Sequence, residues 1–149
     1  MLILFATMTG NAEDAAERIA KRLKKSGHEP VVANIEKHTP QSLVGRGQPV
    51  LFVVSTWGEG EPPDEALEFW ETLENLDGGA LDGLRFAVYA LGDSSYDEFC
   101  GFGRNLETAL GQKGGVRIAE RAECDCDHEE FIESWTGQVL AALEGELAS

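Results

Sequence analysis

Residues 91–100 carry the groups best suited to hold a flat ring: a glycine, small hydroxyl side chains and the aromatic side chain of Tyr96. They directly follow the apolar run of residues 86–90, which is typical of a buried strand that ends in a loop. Tyr96 could stack on an aromatic ligand, while backbone groups from Gly92 to Tyr96 could hydrogen-bond to a polar ring edge. The sequence therefore predicts a ligand loop after this strand.

A second loop, residues 7–12, has the composition of an anion-binding site. It places Thr7, Thr9 and Gly10 just before a predicted helix, whose first backbone N–H groups and dipole attract negative charge. The spacing matches neither the G-x-x-x-x-G-K-[ST] loop nor the G-x-G-x-x-G fingerprint of dinucleotide sites. We expect a single phosphate held by N–H and O–H donors, and an ordinary capped helix start is the alternative.

The third loop, residues 55–64, is marked by Trp57, which stands beside flexible glycines rather than on an apolar helix face. Trp70 and Trp135, in contrast, fall on the apolar faces of predicted helices. We therefore interpret Trp57 as a second stacking surface. Packing over a neighbouring helix is the alternative interpretation.

The apolar pattern predicts a scaffold that brings these loops together. Short apolar runs alternate with helical stretches, which indicates an α/β fold with a parallel, doubly wound, five-stranded sheet. Ligands of such sheets bind outside the carboxyl ends of the strands, where the strand order reverses. The expected strands are residues 2–6, 30–35, 50–55, 85–91 and 116–119. The expected helices begin near Ala12 and end before Gly27, span residues 64–76 and 103–112, and begin again at an Asp127 cap.

This scaffold would direct two aromatic surfaces and one phosphate loop into the same crevice. Such a combination suits a flat aromatic system that carries one phosphate at the end of a short chain. Flavin mononucleotide (FMN) fits this description better than a dinucleotide does.

Over essentially its whole length the sequence resembles the flavodoxins and the flavodoxin-like domains of diflavin reductases. Residues 7–12 are similar to the family's phosphate loop, residues 55–58 to the loop with the inner aromatic, and residues 92–100 to the loop whose tyrosine stacks on the outer flavin face. Residues 58–64 are similar to the version in sulfite reductase and cytochrome P450 reductase domains. The resemblance implies a three-layer flavodoxin-like fold with strand order 2-1-3-4-5 and FMN as cofactor. The cofactor-binding residues that it implies are Thr7, Met8, Thr9, Gly10, Asn11, Ala12, Ser55, Thr56, Trp57, Gly58, Leu91, Gly92, Asp93, Tyr96, Phe99 and Cys100.

The sequence departs from the family pattern in the phosphate loop. Ala12 stands where the family often has a hydroxyl residue, so one side-chain contact to phosphate would be missing while the backbone donors remain. Met8 is expected to make no side-chain bond to phosphate. The fifth strand has no long insertion before Cys124, which resembles the short-chain class of flavodoxins.

Charge is unevenly distributed along the 149 residues. Residues 1–50 hold seven Lys and Arg residues against five Asp and Glu, whereas residues 51–149 hold five against 22. Such a field repels nucleic acid and anionic membranes and attracts basic protein surfaces. We expect basic-faced redox partners, namely an FAD-containing reductase and a haem or iron–sulfur acceptor. An acidic surface that only maintains solubility is the alternative.

Length and composition predict one domain, residues 1–149, that is a cytoplasmic monomer. No apolar run approaches the roughly 20 residues of a membrane span, and the first residues lack the features of a signal peptide. Cys100, Cys124 and Cys126 are odd in number and lack zinc-site spacing, so we expect neither a disulfide framework nor a bound metal.

The function that these features indicate is one-electron transfer by a protein without catalytic residues of its own. Carboxylates in the ligand loops, and no Lys or Arg there, predict a low potential because they disfavour negative charge on the flavin. The alternatives are the FMN module of a diflavin reductase and a flavin-dependent NAD(P)H reductase. A response-regulator receiver shares the topology but needs acidic residues where residues 7–9 and 55–56 stand.

Overall fold

The computed structural model describes residues 1–6, 10–44, 49–55, 63–91, 101–124 and 129–148, in which strands and helices alternate. The strands are β1 (Leu2–Ala6), β2 (Val31–Asn34), β3 (Val50–Ser55), β4 (Arg85–Leu91), β5 (Val116–Arg117) and β6 (Ala122–Cys124). The helices are α1 (Asn11–Lys25), α2 (Leu67–Glu74), α3 (Gly101–Gln112) and α4 (Glu129–Ala148). Short 3₁₀ helices cover Ile35–Lys37, Pro40–Leu43 and Asp64–Ala66.

The strands form one parallel sheet with the order β2-β1-β3-β4-β5, and β6 also pairs with β4. This order confirms the predicted doubly wound fold. All residues of β1 and β3 are buried, as expected for central strands covered by helices on both faces. The apolar runs of the sequence therefore mark the middle of the sheet.

The core consists of two layers of apolar side chains, one on each face of the sheet. Alternate residues of a strand point to opposite faces. Ile3 and Leu51 accordingly pack with residues of α1 and α4, whereas Leu4 and Phe52 pack with residues of α2 and α3. Among the described helices, none is long and apolar enough to cross a membrane.

Helix α1 follows the sequence pattern closely. Its stripe of Ala15, Ile19 and Leu23 is buried, and its acidic first turn and basic last turn complement the helix dipole. The chain leaves the helix through Ser26 and Gly27, and the φ of 92° at Gly27 favours a glycine. The predicted stop at this glycine is confirmed.

Strand β2 is shorter than the expected residues 30–35 because the chain turns after Asn34. The Asn34 side chain accepts a hydrogen bond from the backbone N–H of Glu36 at 2.9 Å, which begins the 3₁₀ helix that includes Ile35. Asparagine favours such local bonds over continued strand pairing. The predicted strand included Ile35 because this residue is apolar. Ile35 is buried in the core but belongs to the 3₁₀ helix and not to the strand.

The expected helix over residues 64–76 is a 3₁₀ turn, Asp64–Ala66, followed by the shorter helix α2. Helix α2 ends at Glu74, where the side-chain amide of Asn75 donates to the carbonyl oxygen of Glu71 at 2.8 Å. Leu76 is still packed against the core although it lies outside the helix. An apolar residue at helical spacing therefore did not mark the helix end.

Helix α3 begins at Gly101 rather than at residue 103. Two glycines near the start weaken the local helix propensity, but the ring of Phe102 is buried and packs edge-on against Trp70 at 5.6 Å between centroids. Packing therefore extends the helix beyond the predicted start. The predicted cap at Asp127 lies outside the described residues.

The fifth strand is split into β5 and β6 instead of running over residues 116–119. Phe86 pairs with Arg117, and Tyr89 pairs with Ala122. Two residues of β4 lie between these pairs but four residues of the fifth strand, so this edge of the sheet carries a bulge of two extra residues.

Ion pairs hold this bulge against helix α3. One carboxylate oxygen of Glu107 accepts hydrogen bonds from Arg121 at 2.6 Å and from Arg117 at 3.3 Å. Arg121 also pairs with Glu123 at 2.8 Å. The cluster therefore ties both halves of the fifth strand to the helix beside it.

Candidate functional site

Three strand ends meet at one edge of the sheet, and each leads into a predicted ligand loop. Ala6 ends β1, Ser55 ends β3 and Leu91 ends β4. The register pairs Ala6 with Val54 and Ser55 with Leu91, so the ends are level. Because adjacent strands lie about 4.8 Å apart, the three loops leave the sheet within about 10 Å of one another.

The strand order reverses at this edge, between β1 and β3. From β1 the chain crosses through α1 to β2 on one side, whereas from β3 it crosses through α2 to β4 on the other. Diverging crossovers leave a crevice at the carboxyl ends of these two strands. The predicted phosphate loop follows β1 and the Trp57 loop follows β3, the two strands that flank this crevice.

Most of the predicted contact residues belong to those loops and lie outside the described residues. The structure describes Gly10, Ala12, Ser55 and Leu91, and only the backbone of Asn11. The predicted contacts outside the described residues are Thr7, Met8, Thr9, Thr56, Trp57, Gly58, Gly92, Asp93, Tyr96, Phe99 and Cys100.

Gly10 begins helix α1 in a conformation that suits an anion loop. Its φ is 88°, its carbonyl oxygen accepts from the N–H of Asp14 at 3.0 Å, and no side chain at this position caps the helix. A Cβ atom there would meet no heavy atom within 4 Å, so the glycine is required by its backbone angle and not by space. A helix that starts at a glycine without a side chain of its own to cap it fits a phosphate.

Acidic residues in the first turn of α1 oppose an anion, but one of them is paired. Arg18 contacts the carboxylate of Asp14 at 3.0 Å, one turn further along the helix. This pair reduces the negative charge below the predicted phosphate loop. The first turn therefore repels an anion less strongly than its acidic residues alone would.

Ala12 is fully buried, and its methyl group packs in the core beneath α1. Only its backbone could contact a phosphate. A small apolar side chain suits this buried position, at which the family often has a hydroxyl residue. The predicted role of Ala12 in phosphate binding is therefore limited to its backbone.

Ser55 and Leu91 are both buried but differ in what they can offer. The Leu91 side chain packs in the same core layer as α1 and α4, so it shapes the base of the crevice. Ser55 brings a buried hydroxyl group to the end of β3. Of these two predicted contacts, only Ser55 has a side chain that could hydrogen-bond to a ligand.

Trp70 and Trp135 pack against the core, which confirms their predicted place on the apolar faces of helices. The ring of Trp135 is buried edge-on against Tyr89 at 5.4 Å, and its Nε1–H donates to the carbonyl oxygen of Glu120 at 3.1 Å. Trp70 is half-buried against Phe102. Both rings belong to helices that cover the sheet and pack against its core.

Gly103 is a positioning residue that the sequence interpretation missed. A Cβ atom at this position would lie 2.4 Å from the Cβ atom of Ala90 in β4. Helix α3 therefore approaches β4 closely, next to the strand end at Leu91. A glycine inside a helical pattern was the available signal, because such glycines often have a packing reason.

Helix α2 presents acidic side chains close to the same edge. Asp64, Glu68 and Glu71 are exposed, and Leu67 among them is 42% exposed. Because the 3₁₀ turn before α2 follows the Trp57 loop, these residues flank the candidate site. The exposed Leu67 is thus surrounded by acidic side chains.

Comparisons with known proteins agree with this geometry. The family model for flavodoxin matches residues 3–135. The sulfite reductase (NADPH) flavoprotein alpha-component of Bacillus subtilis (strain 168) is 43% identical over 141 residues, which are 95% of this chain and 23% of that protein. The component from Neisseria meningitidis serogroup A is 36% identical over 146 residues, 98% of this chain and 24% of that protein. The chain thus spans about a quarter of the length of these curated relatives.

Solved structures match along nearly the whole chain. Oxidised flavodoxin 2 from Bacillus cereus has a TM-score of 0.82 and 32% identity, with 97% of each chain covered. The flavodoxin of Streptococcus pneumonia TIGR4 has a TM-score of 0.81 and 29% identity, with 94% of this chain and 97% of that chain covered.

Proposed function

The chain belongs to the flavodoxin family, and we propose that its three carboxyl-edge loops hold FMN for the transfer of single electrons between a reductase and an acceptor protein. FMN is the cofactor of this family, and electron transfer is its role. The observation that carries the proposal is the level arrangement of Ala6, Ser55 and Leu91 at the strand-order reversal. The bound flavin supplies the redox chemistry, and the polypeptide supplies binding, orientation and electrostatics.

The loops divide the binding task between them. Residues 7–12 hold the phosphate at the start of α1, and Trp57 and Tyr96 stack on the two faces of the ring. Gly92 and Asp93 approach the polar ring edge. Residues 99–100 complete the loop that joins β4 to α3.

Carboxylates in these loops favour a low potential for the last electron. The loops after β3 and β4 contain acidic residues and no Lys or Arg. Negative charge that arrives on the flavin is therefore opposed by neighbouring charge. The acidic residues concerned are Glu59, Glu61, Asp93, Asp97 and Glu98.

The acidic flank of the site favours basic-faced partners, such as an FAD-containing reductase and a haem or iron–sulfur acceptor. Leu67 would provide the apolar centre of the contact, and Glu68 and Glu71 its acidic rim. We propose a monomeric, cytoplasmic domain that forms brief complexes through this surface.

FMN binding is tested by titrating the apoprotein with flavin, and the quenching of flavin fluorescence measures the affinity. We expect FMN to bind far more tightly than riboflavin, because riboflavin lacks the phosphate that the α1 loop would hold. Trp57→Leu should weaken FMN binding about tenfold through loss of a stacking surface. Trp70→Phe is the matched control and should leave the affinity within about twofold, because Trp70 packs against Phe102. Equal binding of riboflavin and FMN would rule out the phosphate loop.

A second candidate is the FMN module of a diflavin reductase. It is favoured by the identity of 43% to a sulfite reductase flavoprotein of which this chain spans 23%. Addition of NADPH to the FMN-loaded protein distinguishes a carrier or a diflavin reductase module from a flavin-dependent NAD(P)H reductase. Reduction by NADPH alone would indicate a flavin-dependent NAD(P)H reductase, whereas reduction only after a separate FAD-containing reductase is added would support the carrier or module.

A further inference from the structure

A basic groove lies between helices α1 and α4, on a protein that is otherwise strongly acidic. It has a volume of about 360 Å³. Among the described residues, its lining contains four Lys and Arg residues and one carboxylate, Glu133. The lining residues are Arg18, Lys21, Arg22, Lys25, Ile132 and Glu133.

The four cations form one continuous row. Residues at positions i, i+3, i+4 and i+7 share a face of a helix, so Arg18 to Lys25 follow the groove for about 10 Å. The Arg18 and Arg22 side chains are 47% and 43% exposed, and Lys21 and Lys25 are exposed as well. Ile132 forms an apolar floor beside them. The four cations are therefore accessible to solvent, and a side chain of a partner could pack on Ile132 beside them.

The helix dipole explains only part of this arrangement. Cations in the last turn of α1 interact favourably with the helix end, and Lys24 is one of them although it does not line the groove. Lys21 lies before the last turn and is outside the range of that effect. Two carboxylates contact the row, because Asp14 pairs with Arg18 at 3.0 Å and Glu133 approaches Arg22 to 4.0 Å. Among the described residues, the four cations of the groove still outnumber these two carboxylates.

We propose that the α1/α4 groove binds an acidic segment of a protein partner. The exposed row of cations suits several carboxylates spaced along a chain, whereas a small anion site needs buried donors that converge on one point. A nucleic acid would extend beyond the groove and meet the acidic remainder of the protein. A second copy of this chain is disfavoured because each copy carries a net charge of -15.

The groove is separate from the candidate flavin site. Arg18 follows Gly10 by eight residues, so the row begins about 12 Å along α1 from the phosphate loop and continues away from it. An acidic segment bound there leaves the carboxyl edge of the sheet accessible. The groove would therefore hold the domain on a partner while the acidic flank contacts a different, basic protein.

Fluorescence anisotropy with a labelled Glu-rich peptide of about ten residues, at about 50 mM salt, tests the proposal. Lys21→Gln/Lys25→Gln should weaken binding about tenfold, because it removes two cations of the row. Lys24→Gln/Lys37→Gln removes the same charge from exposed positions outside the groove and should change the affinity less than about twofold. A Lys-rich peptide of equal length should not bind at the groove.

The proposal is wrong if the peptide does not bind or if both double variants weaken it equally, since the second result reflects net charge alone. It is also wrong if a thymidine oligonucleotide of equal length binds as tightly and depends on Lys21 and Lys25. Sedimentation that shows a dimer abolished by Lys21→Gln/Lys25→Gln would assign the groove to a second copy instead. None of these measurements requires FMN, so they are independent of the proposed electron transfer.

Discussion

Gly103 determines how closely helix α3 approaches the sheet beside the candidate site. A Cβ atom there would lie 2.4 Å from Ala90 Cβ and 3.5 Å from Ala90 Cα. Leu91 begins the loop with Tyr96, and Gly101, two residues before Gly103, ends it. The glycine therefore controls the separation of the two loop ends, and through them the position of a predicted stacking residue.

Gly103→Ala should destabilise the protein by about 1–3 kcal/mol, because the added methyl group forces α3 away from β4. The matched control is Gly111→Ala in the same helix, where a Cβ atom would meet nothing within 4 Å. That change should stabilise the protein by roughly 0.5–1 kcal/mol through helix propensity. Chemical denaturation measures the free energy of unfolding of both variants. Equal stability of Gly103→Ala and Gly111→Ala would contradict a close approach of α3 to β4 at Gly103.

At the scale of elements, the fifth strand depends on helix α3 for its position. Its two halves are out of register by two residues, and Glu107 of α3 accepts bonds from Arg117 in β5 and from Arg121 just before β6. The Glu107 carboxylate is only 11% exposed, and the Arg121 side chain is 24% exposed. Loss of one partner would leave a largely buried charge less well compensated.

Arg121→Gln should therefore cost about 1–2 kcal/mol in the free energy of unfolding. Arg22→Gln removes the same charge from the exposed pair with Glu133 and should cost less than about 0.5 kcal/mol. Urea denaturation compares the two variants. Equal losses would mean that the Glu107 cluster contributes no more than a surface ion pair.

The sequence predicted the central elements well and the edges poorly, for a physical reason. β1, β3 and β4 are buried on both faces, so continuous apolar runs mark their bounds. β2 and the fifth strand are the outermost strands, where even apolar residues such as Val31 and Val116 are exposed, so apolar residues there do not mark the strand bounds. The bulge depends on contacts between Arg121 and Glu107, which are 14 residues apart, and no local pattern encodes them.

The candidate site was predictable in its location but not in the role of every residue. The order of three loops after alternating strands and helices places them at one sheet edge. Ala12 was predicted to contact phosphate through its backbone alone, but the packing of its methyl group in the core was not predicted, and neither was the role of Gly103. Both facts depend on the depth at which helices pack on the sheet. The contacts predicted for Trp57, Tyr96 and the remaining loop residues stay predictions.

At the scale of the whole molecule, charge is divided between an acidic flank and the basic groove. Glu68 and Glu71 lie on α2, which covers one face of the sheet, whereas the groove belongs to α1 and α4 on the other face. Opposite charges on opposite faces orient the protein in the field of a partner. The basic redox partner that we propose would thereby be directed toward the side that flanks the predicted flavin loops.

Electron transfer from the reduced protein to a basic haem protein should accordingly slow as salt is raised. At low salt, Glu68→Gln/Glu71→Gln should lower the bimolecular rate constant severalfold. Glu29→Gln/Asp77→Asn removes the same charge from exposed residues that precede β2 and β4, near the amino ends of the strands. This control should have a much smaller effect. Stopped-flow kinetics over a range of salt concentrations measures both, and rates that do not depend on salt would contradict steering by the acidic flank.

The most direct test of the account is the visible spectrum of the purified protein during slow anaerobic reduction. A yellow protein with flavin absorption bands, and a long-wavelength band that rises and then falls as electrons are added, is the result expected of a one-electron carrier that holds FMN. A protein that is colourless, and that stays so after FMN is added and excess flavin removed, would contradict the flavin site and the function derived from it.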